Sequence, residues 1–317
     1  MKYIKLHNGA SMPAVGFGTW QAGEQELEAA LESALEAGYR HIDTAYVYDN
    51  ERAVGRVLAR WLSSGRVARD ELFVVTKLPP TGNRADRVDK YLARSLENLR
   101  LEHVDLYLVH VPFGFQERGD ELHPAAEDGS ILAELDTDHA SLWKAMERQV
   151  AAGRARAIGL SNFNEAQLGR LLAGAEVPPA CLQVEMHLYL QQRPLRAFCE
   201  ARGIALCAYS PLGSRGTSKL LGKELPDLMG DPAVKEAAAS HGRSPAQVLL
   251  RFAVQSGVAV IPKSTNPARI RENIQVFDFE LTDEEMTRLA DLDRGPAGRI
   301  VDFTFLKGID KHPEFPF

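Results

Sequence analysis

Eight short β-rich runs, each followed by a stretch of helical length, recur along this 317-residue chain with no linker between them. The runs fall at 15–18, 39–42, 72–76, 104–109, 155–160, 181–184, 205–208 and 259–261. Helices are expected to begin near Glu24, Asn50, Arg84, Ala140, Asn164, Arg193, Ser244 and Pro267. Asn50, Asn164 and Ser244 are residue types that cap helix N-termini with a side-chain oxygen, and Pro245 suits the first helical position. Gly38, Gly153 and Gly203 stand where a left-handed residue would end a helix ahead of the next strand. Short apolar strands joined by crossover helices imply a parallel sheet with helices on its outer face.

An open doubly wound sheet and a closed barrel both satisfy that pattern. The open fold carries a glycine-rich phosphate turn after its first strand. Here the corresponding run is Gly16-Phe17-Gly18-Thr19-Trp20, without the third glycine at the required spacing. Eight units suit closure, and the chain length lies within the range of one barrel. The expected fold is therefore α/β, a (β/α)8 TIM barrel forming a single domain over residues 1–317. Segment 3–12 reads as a β-hairpin around Asn8-Gly9 that would plug the barrel bottom. The polar, irregular stretch 112–138 and the loop 210–230 both follow strands, so both would lie on the catalytic face. The tail 292–317 carries Phe303, Phe305, Phe315 and Phe317, too aromatic for a free tail, and is expected to fold back over the barrel mouth.

Bulk properties exclude several classes of function. The formal net charge is −6 and no basic block occurs, which argues against a nucleic-acid or anionic-membrane surface. No run approaches the ~18 uninterrupted apolar residues of a membrane span. The N-terminus has no apolar signal core. Cys181, Cys199 and Cys207 form no CxxC pair, and an odd number argues against a disulfide framework. These features lead to the expectation of a cytoplasmic protein. The histidines are scattered, with no HxH or HExxH cluster, so no metal is expected and a metal hydrolase is disfavoured. No apolar stripe lies outside the core pattern, so the default is a monomer whose partner is a small molecule.

Reactive groups of a barrel enzyme sit at the C-terminal ends of its strands. Those ends carry Asp43 after the second strand, Tyr48 just beyond it, Lys77 after the third and His110 after the fourth. Singly, each has an ordinary structural explanation: a helix cap, a packing ring, a solvated cation, a core histidine. Together on one face they suit carbonyl reduction, in which hydride attack on carbon needs a proton donor beside the oxygen. A free tyrosine, with a pKa of about 10, is a weak acid at neutral pH. A lysine ammonium beside it would lower that value, and Asp43 would hold Lys77 charged and in place. His110 could polarise and align the carbonyl. Separately, Lys263 and Arg269 beside a helix N-terminus form a local anion site in an acidic chain, one that would favour NADP over NAD.

At these residues the chain resembles the aldo-keto reductase family over nearly its whole length. Gly38-Tyr39-Arg40-His41-Ile42-Asp43-Thr44-Ala45, followed by Glu51 and Val54-Gly55, is similar to the family's first signature. Ile261-Pro262-Lys263-Ser264, with Arg269 and Glu272-Asn273, is similar to its C-terminal one. Gly159-Leu160-Ser161-Asn162-Phe163 and Ala208-Tyr209-Ser210-Pro211-Leu212-Gly213 also fit. The resemblance implies NADPH-dependent reduction of aldehydes or ketones by a tetrad of Asp43, Tyr48, Lys77 and His110, with Tyr48 as proton donor. It implies nicotinamide against Tyr209, near Ser161, Asn162 and Gln183, with Thr19 and Trp20 also beside the cofactor. The pyrophosphate would lie under 210–216, including Ser210, Leu212 and Ser214. The 2′-phosphate would rest on Lys263, Ser264 and Arg269, and the adenine on Glu272 and Asn273.

Where many members have tryptophan after the catalytic histidine, this chain has Val111, followed by Pro112-Phe113. The expected substrate pocket comprises Trp20, Val47, Val111, Phe113, Phe115, Phe303 and Phe305, apolar and roomy enough for a hydrophobic aldehyde or bulky ketone. The inserted loop 119–139 and the run Asp138-His139-Ala140-Ser141-Leu142-Trp143-Lys144 resemble arthropod members, some of which reduce dehydro-ecdysteroids or isoprenoid aldehydes. A non-enzymatic NADPH-binding sensor or structural relative is the alternative; an intact tetrad speaks against it.

Overall fold

The computed structural model describes residues 2–317. It opens with an antiparallel pair, β1 (Tyr3–Lys5) and β2 (Ser11–Pro13). Gly9, at φ +86°, takes the left-handed position of the turn, and its N–H donates to Leu6 O at 2.9 Å. Leu6 and Met12 are buried beneath the hairpin. Pro13 leads directly into the first barrel strand, so the hairpin sits where the strands begin.

The alternation then runs β3 (Phe17–Gly18), α1 (Glu24–Glu36), β4 (His41–Asp43), α2 (Glu51–Ser63), β5 (Phe73–Leu78), α3 (Val88–Leu99) and β6 (Leu106–Val109). A small antiparallel hairpin, β7 (Gly114–Phe115) with β8 (Ala133–Glu134), precedes α4 (His139–Ala151), β9 (Ile158–Ser161) and α5 (Glu165–Leu172). The chain continues through β10 (Cys181–Glu185), α6 (Arg193–Glu200), β11 (Ala205–Tyr209), α7 (Ser218–Leu221), α8 (Pro232–His241) and α9 (Pro245–Gln255). It finishes with β12 (Ala259–Val260), α10 (Pro267–Ile274), α11 (Asp283–Ala290) and the aromatic tail. Eight strands form one sheet in the order β12-β11-β10-β9-β6-β5-β4-β3. Val15 pairs in parallel with Val260, and Gly16 N–H donates to Val260 O at 2.8 Å, joining the two ends of that order. The result is the expected (β/α)8 barrel.

The chain divides into two compact units. One holds the N-terminal segment up to Gly18 with Ala29–His41 and Gln183–Asp302; the other holds Thr19–Glu28, Ile42–Leu182 and Phe303–Phe317. In the first, α8, α9 and α11 enclose a core that includes Val234, Val248, Leu249, Phe252 and Leu289. In the second, β5 and β6 are buried at every position.

Caps explain most helix starts. Asn164 and Ser244 each accept from the N–H three residues on, in reciprocal capping boxes with Gln167 and Gln247. Asn50 does not cap α2, contrary to expectation. Its amide instead donates to Thr19 O at 2.9 Å and Ala22 O at 3.3 Å, and its Oδ1 accepts from Thr44. Gly38, Gly153 and Gly203 all have positive φ as expected. Helix α3 starts at Val88 rather than near Arg84, because residues 84–87 form a turn in which Arg87 N donates to Arg84 O at 3.0 Å. Stretch 112–138 is not wholly irregular, since it contains β7 and β8. Helices α7, α8 and α11 lie outside the eight-unit expectation.

Gly55 lies inside α2, where alanine would normally be favoured by about 1 kcal/mol. A Cβ there would lie 2.1 Å from Asn98 O and 2.8 Å from the Leu99 carbonyl carbon, both on α3 and both backbone. Gly55→Ala is therefore expected to lower stability by about 1–3 kcal/mol. A Tm that is unchanged or raised would show that α2 and α3 can separate at no cost.

Candidate active site

Asp43 closes β4, Lys77 is the penultimate residue of β5, and His110 directly follows β6. Tyr48 ends a 3₁₀ turn, Tyr46–Tyr48, just past β4. Lys77 is fully buried, and its Nζ donates to Asp43 Oδ1 at 2.6 Å, Thr44 O at 2.9 Å and Tyr48 OH at 3.3 Å. Those three bonds use all the hydrogens of an ammonium. The Tyr48 ring meets the His110 ring edge-on, with centroids 5.6 Å apart.

The charge states follow from these neighbours. Burial pulls the Lys77 pKa down, but Asp43 and Tyr48 outweigh it and the group stays above the ordinary lysine value. Burial raises the Tyr48 phenol more than Lys77 lowers it, and Asp43 adds to the rise, so its pKa lies above 10. The expectation that Lys77 brings the phenol below its free value is thus corrected: desolvation wins, and Tyr48 stays protonated through the neutral range. Burial, aided by Lys77 and His123, holds His110 well below 6.5 and therefore neutral. Its Nδ1 is buried with no hydrogen-bond partner among the described residues.

Neighbouring side chains fix this frame. Thr19 donates both its N–H and its Oγ1 hydrogen to Asp43 O, at 3.1 and 3.0 Å. Glu51, quoted above only as part of a motif, is a buried carboxylate accepting from Thr76 Oγ1 at 2.6 Å and Asn98 Nδ2 at 3.2 Å. Ser161 closes β9, and Asn162 follows at φ +64°, donating to His110 O at 2.9 Å and Ser161 Oγ at 3.1 Å. Asn83 belongs to no motif, and His139 was quoted above only within the run 138–144 with no role; both hold the backbone just after His110.

The expected pocket residues separate by exposure. Trp20 and Val47 are half-buried and Phe305 is exposed, whereas Val111, Phe113, Phe115 and Phe303 are buried. Phe113 stacks on Phe115 at 5.8 Å and meets Phe303 edge-on at 5.5 Å, and Phe303 stacks on Phe317 at 5.6 Å. The tail is thus folded onto the segment after β6, and Asn164 and Gln167 of the α5 cap donate to Pro316 O and Glu314 O.

The remaining cofactor candidates lie in the other unit. Gln183 is buried with its amide 3.9 Å from Cys207 Sγ. Tyr209 ends β11, and Ser210 and Ser214 both have positive φ and share a hydrogen bond at 2.5 Å beside the half-buried Leu212. Lys263 and Arg269 are exposed around the start of α10, whereas Ser264 is buried. Asn266 caps α10 and takes up the amides of Ala268 and Arg269, so an anion there would rely on the side chains of Lys263, Ser264 and Arg269. Glu272 accepts from Ser244 Oγ, and Asn273 is buried.

Residues 14–294 match the Aldo/keto reductase family. The chain belongs to this family. It is 48% identical over 292 residues to aldo-keto reductase family 1 member A1 of Mus musculus, covering 92% of this chain and 89% of that protein. The same-named protein of Bos taurus is 47% identical over 319 residues, covering 99% and 97%. Among solved structures, the aldose reductase of Schistosoma japonicum superposes with a TM-score of 0.91 at 38% identity, covering 100% of this chain and 99% of that one. The chain is accordingly an oxidoreductase that reduces aldehydes or ketones. No helix among its described residues is long and apolar enough to cross a membrane.

The Lys77–Asp43 pair makes a stability prediction. Removing one partner strands a buried charge, so Lys77→Met and Asp43→Asn should each cost about 3–5 kcal/mol in urea unfolding. The double variant should cost less than their sum by about 0.5–3 kcal/mol. Simple additivity would show that the two charges do not depend on each other.

Proposed function

We propose that this reductase takes NADPH as its hydride source and uses Tyr48 as the proton donor to a hydrophobic carbonyl substrate. The observation that carries the reading is the fully buried Lys77 ammonium, bound at once to Asp43 and to the Tyr48 hydroxyl. Tyr48 is protonated at neutral pH, the form a donor requires. As the substrate oxygen gains negative charge, its proton comes from Tyr48. The phenolate left behind is stabilised by Lys77 Nζ, 3.3 Å away. Asp43 keeps that ammonium charged and aimed. His110, neutral and half-buried, hydrogen-bonds the substrate oxygen and orients the carbonyl without competing as an acid.

The donor set suits a phosphorylated nicotinamide cofactor. Ser161 and Asn162 present polar groups at the end of β9 for the carboxamide. Lys263, Ser264 and Arg269 offer two cations and a hydroxyl at the start of α10 for a 2′-phosphate. Tyr209, Ser210, Leu212 and Ser214 would serve the remainder of the cofactor. Trp20, Val47 and Phe305 give the substrate an apolar surface backed by the buried Phe113, Phe115 and Phe303. That surface fits hydrophobic aldehydes and bulky ketones, ecdysteroid and isoprenoid carbonyls among them, better than sugars.

Loss of the near-ultraviolet absorbance of reduced nicotinamide, followed with an aromatic aldehyde, a long-chain unsaturated aldehyde, a 3-ketosteroid and a sugar, tests the reading. Tyr48→Phe should lower kcat by about 10²–10⁴-fold while NADPH affinity is unchanged. Normal turnover in that variant would remove Tyr48 as the donor. Lys263→Ala combined with Arg269→Ala should weaken NADPH binding about 10²-fold or more, since each of the two lost charge-assisted hydrogen bonds is worth about 1.5–3 kcal/mol, and should leave NADH nearly unaffected. Equal losses for the two would end the 2′-phosphate assignment.

A further inference from the structure

Four consecutive carbonyls, from the candidate catalytic histidine onward, are each bound by a side chain remote in sequence. Asn162 Nδ2 donates to His110 O at 2.9 Å. Asn83 Nδ2 donates to both Val111 O and Phe113 O at 2.8 Å, and His139 Nε2 lies 2.6 Å from Pro112 O. The ladder of the barrel sheet does not do this work, because β6 ends at Val109.

Asn83 is 1% exposed, and its two amide hydrogens are both used. Turning the amide over would press its oxygen against two carbonyl oxygens, so its orientation is forced. The cost is visible: Asn83 Oδ1 is buried with no hydrogen-bond partner among the described residues. His139 must carry its hydrogen on Nε2, since a carbonyl can only accept. It is placed by the cap of α4, where Asp138 accepts from Ala140 N and Ser141 N. Asn83 is placed by the 3₁₀ turn Pro80–Gly82, only a few residues beyond Lys77 on the same strand–loop segment.

We infer that Asn83 and His139 are positioning residues for His110: they set the backbone of 110–113 and thereby aim the imidazole and the Val111 wall at the substrate carbonyl. The inference rests on the reading of His110 as the group that orients that carbonyl. Asn83 and His139 act through His110 and do not touch the reacting atoms. A displacement of about 1 Å at such a group lowers turnover by about 10²-fold.

The test uses the full chain and compares Asn83→Leu, His139→Leu and His139→Gln, which restores an N–H near the Nε2 position, with His110→Ala as reference. Thermal unfolding, NADPH affinity by tryptophan quenching, and kcat and KM for an aromatic aldehyde are read for each. Asn83→Leu is expected to lose about 10²-fold in kcat with NADPH affinity unchanged. His139→Leu should fall in the same direction, and His139→Gln should regain most of the loss. Stability loss alone would not produce that rescue in kcat of folded protein. Folded Asn83→Leu and His139→Leu with normal kcat, against a collapsed His110→Ala, would overturn the inference while leaving the role of His110 intact. Normal kcat in His110→Ala would overturn the reading of His110 and the inference with it. If Asn83→Leu does not fold, the two His139 variants decide the matter: rescue supports the positioning role, and no difference between them refutes it.

Discussion

A lysine ammonium with no exposure to water organises this protein's candidate active site. Stripping such an ion of its hydration costs several kcal/mol even after the surroundings relax. Lys77 is tolerated because its three hydrogens meet three oxygens, one from a carboxylate, one from a backbone carbonyl and one from a phenol. Those oxygens belong to β4 and the turn that follows it, so the solution to the charge problem also fixes the position of Tyr48. The same buried charge helps hold His110 neutral. Placement and protonation are two consequences of one desolvated cation.

Around that centre, loops at the strand ends face a second problem. Backbone groups past the last ladder bond still need partners. The chain meets this need with buried polar side chains. Asn50 ties down the Thr19–Ala22 turn, Asn83 and His139 hold the segment after His110, and Thr19 binds Asp43 O. In the other unit Glu185 does the same for the approach to the tail, accepting from Ile300 N at 2.7 Å, Val301 N at 2.8 Å and the imidazole of His187 at 2.9 Å. These side chains set the backbone on which the proposed substrate-facing residues are held.

Much of this was legible in advance, and the misses have physical causes. All eight barrel strands were readable because alternation of short apolar runs with amphipathic stretches is a local pattern. Their C-terminal ends shifted by at most two residues, bringing Asp43, Lys77 and Ser161 into the strands. Helices α8 and α11 carried readable caps, Asp231 ahead of Pro232 and Thr282 with Glu285, but a repeat counted as eight units left no place for them. Asn50 looked like a cap and is instead a crosslink, because an asparagine before a helix has two ends and the tertiary partners at Thr19 and Ala22 compete for it. The sign of the Tyr48 shift was misjudged because sequence names the charged neighbour but not the depth of burial.

The amino-acid sequence by itself determined the barrel, the hairpin before it and the family, and it named the candidate tetrad, since each depends on local periodicity or on motifs read in order along the chain. Tertiary structure alone decided which hydrogen each buried donor spends on which oxygen, which of the aromatic residues stay exposed, and whether burial or a neighbouring charge governs Tyr48. Those outcomes turn on distances of a few ångströms between residues far apart in sequence, and on the amount of water excluded around them. Neither quantity is carried by the order of residues until the chain has folded.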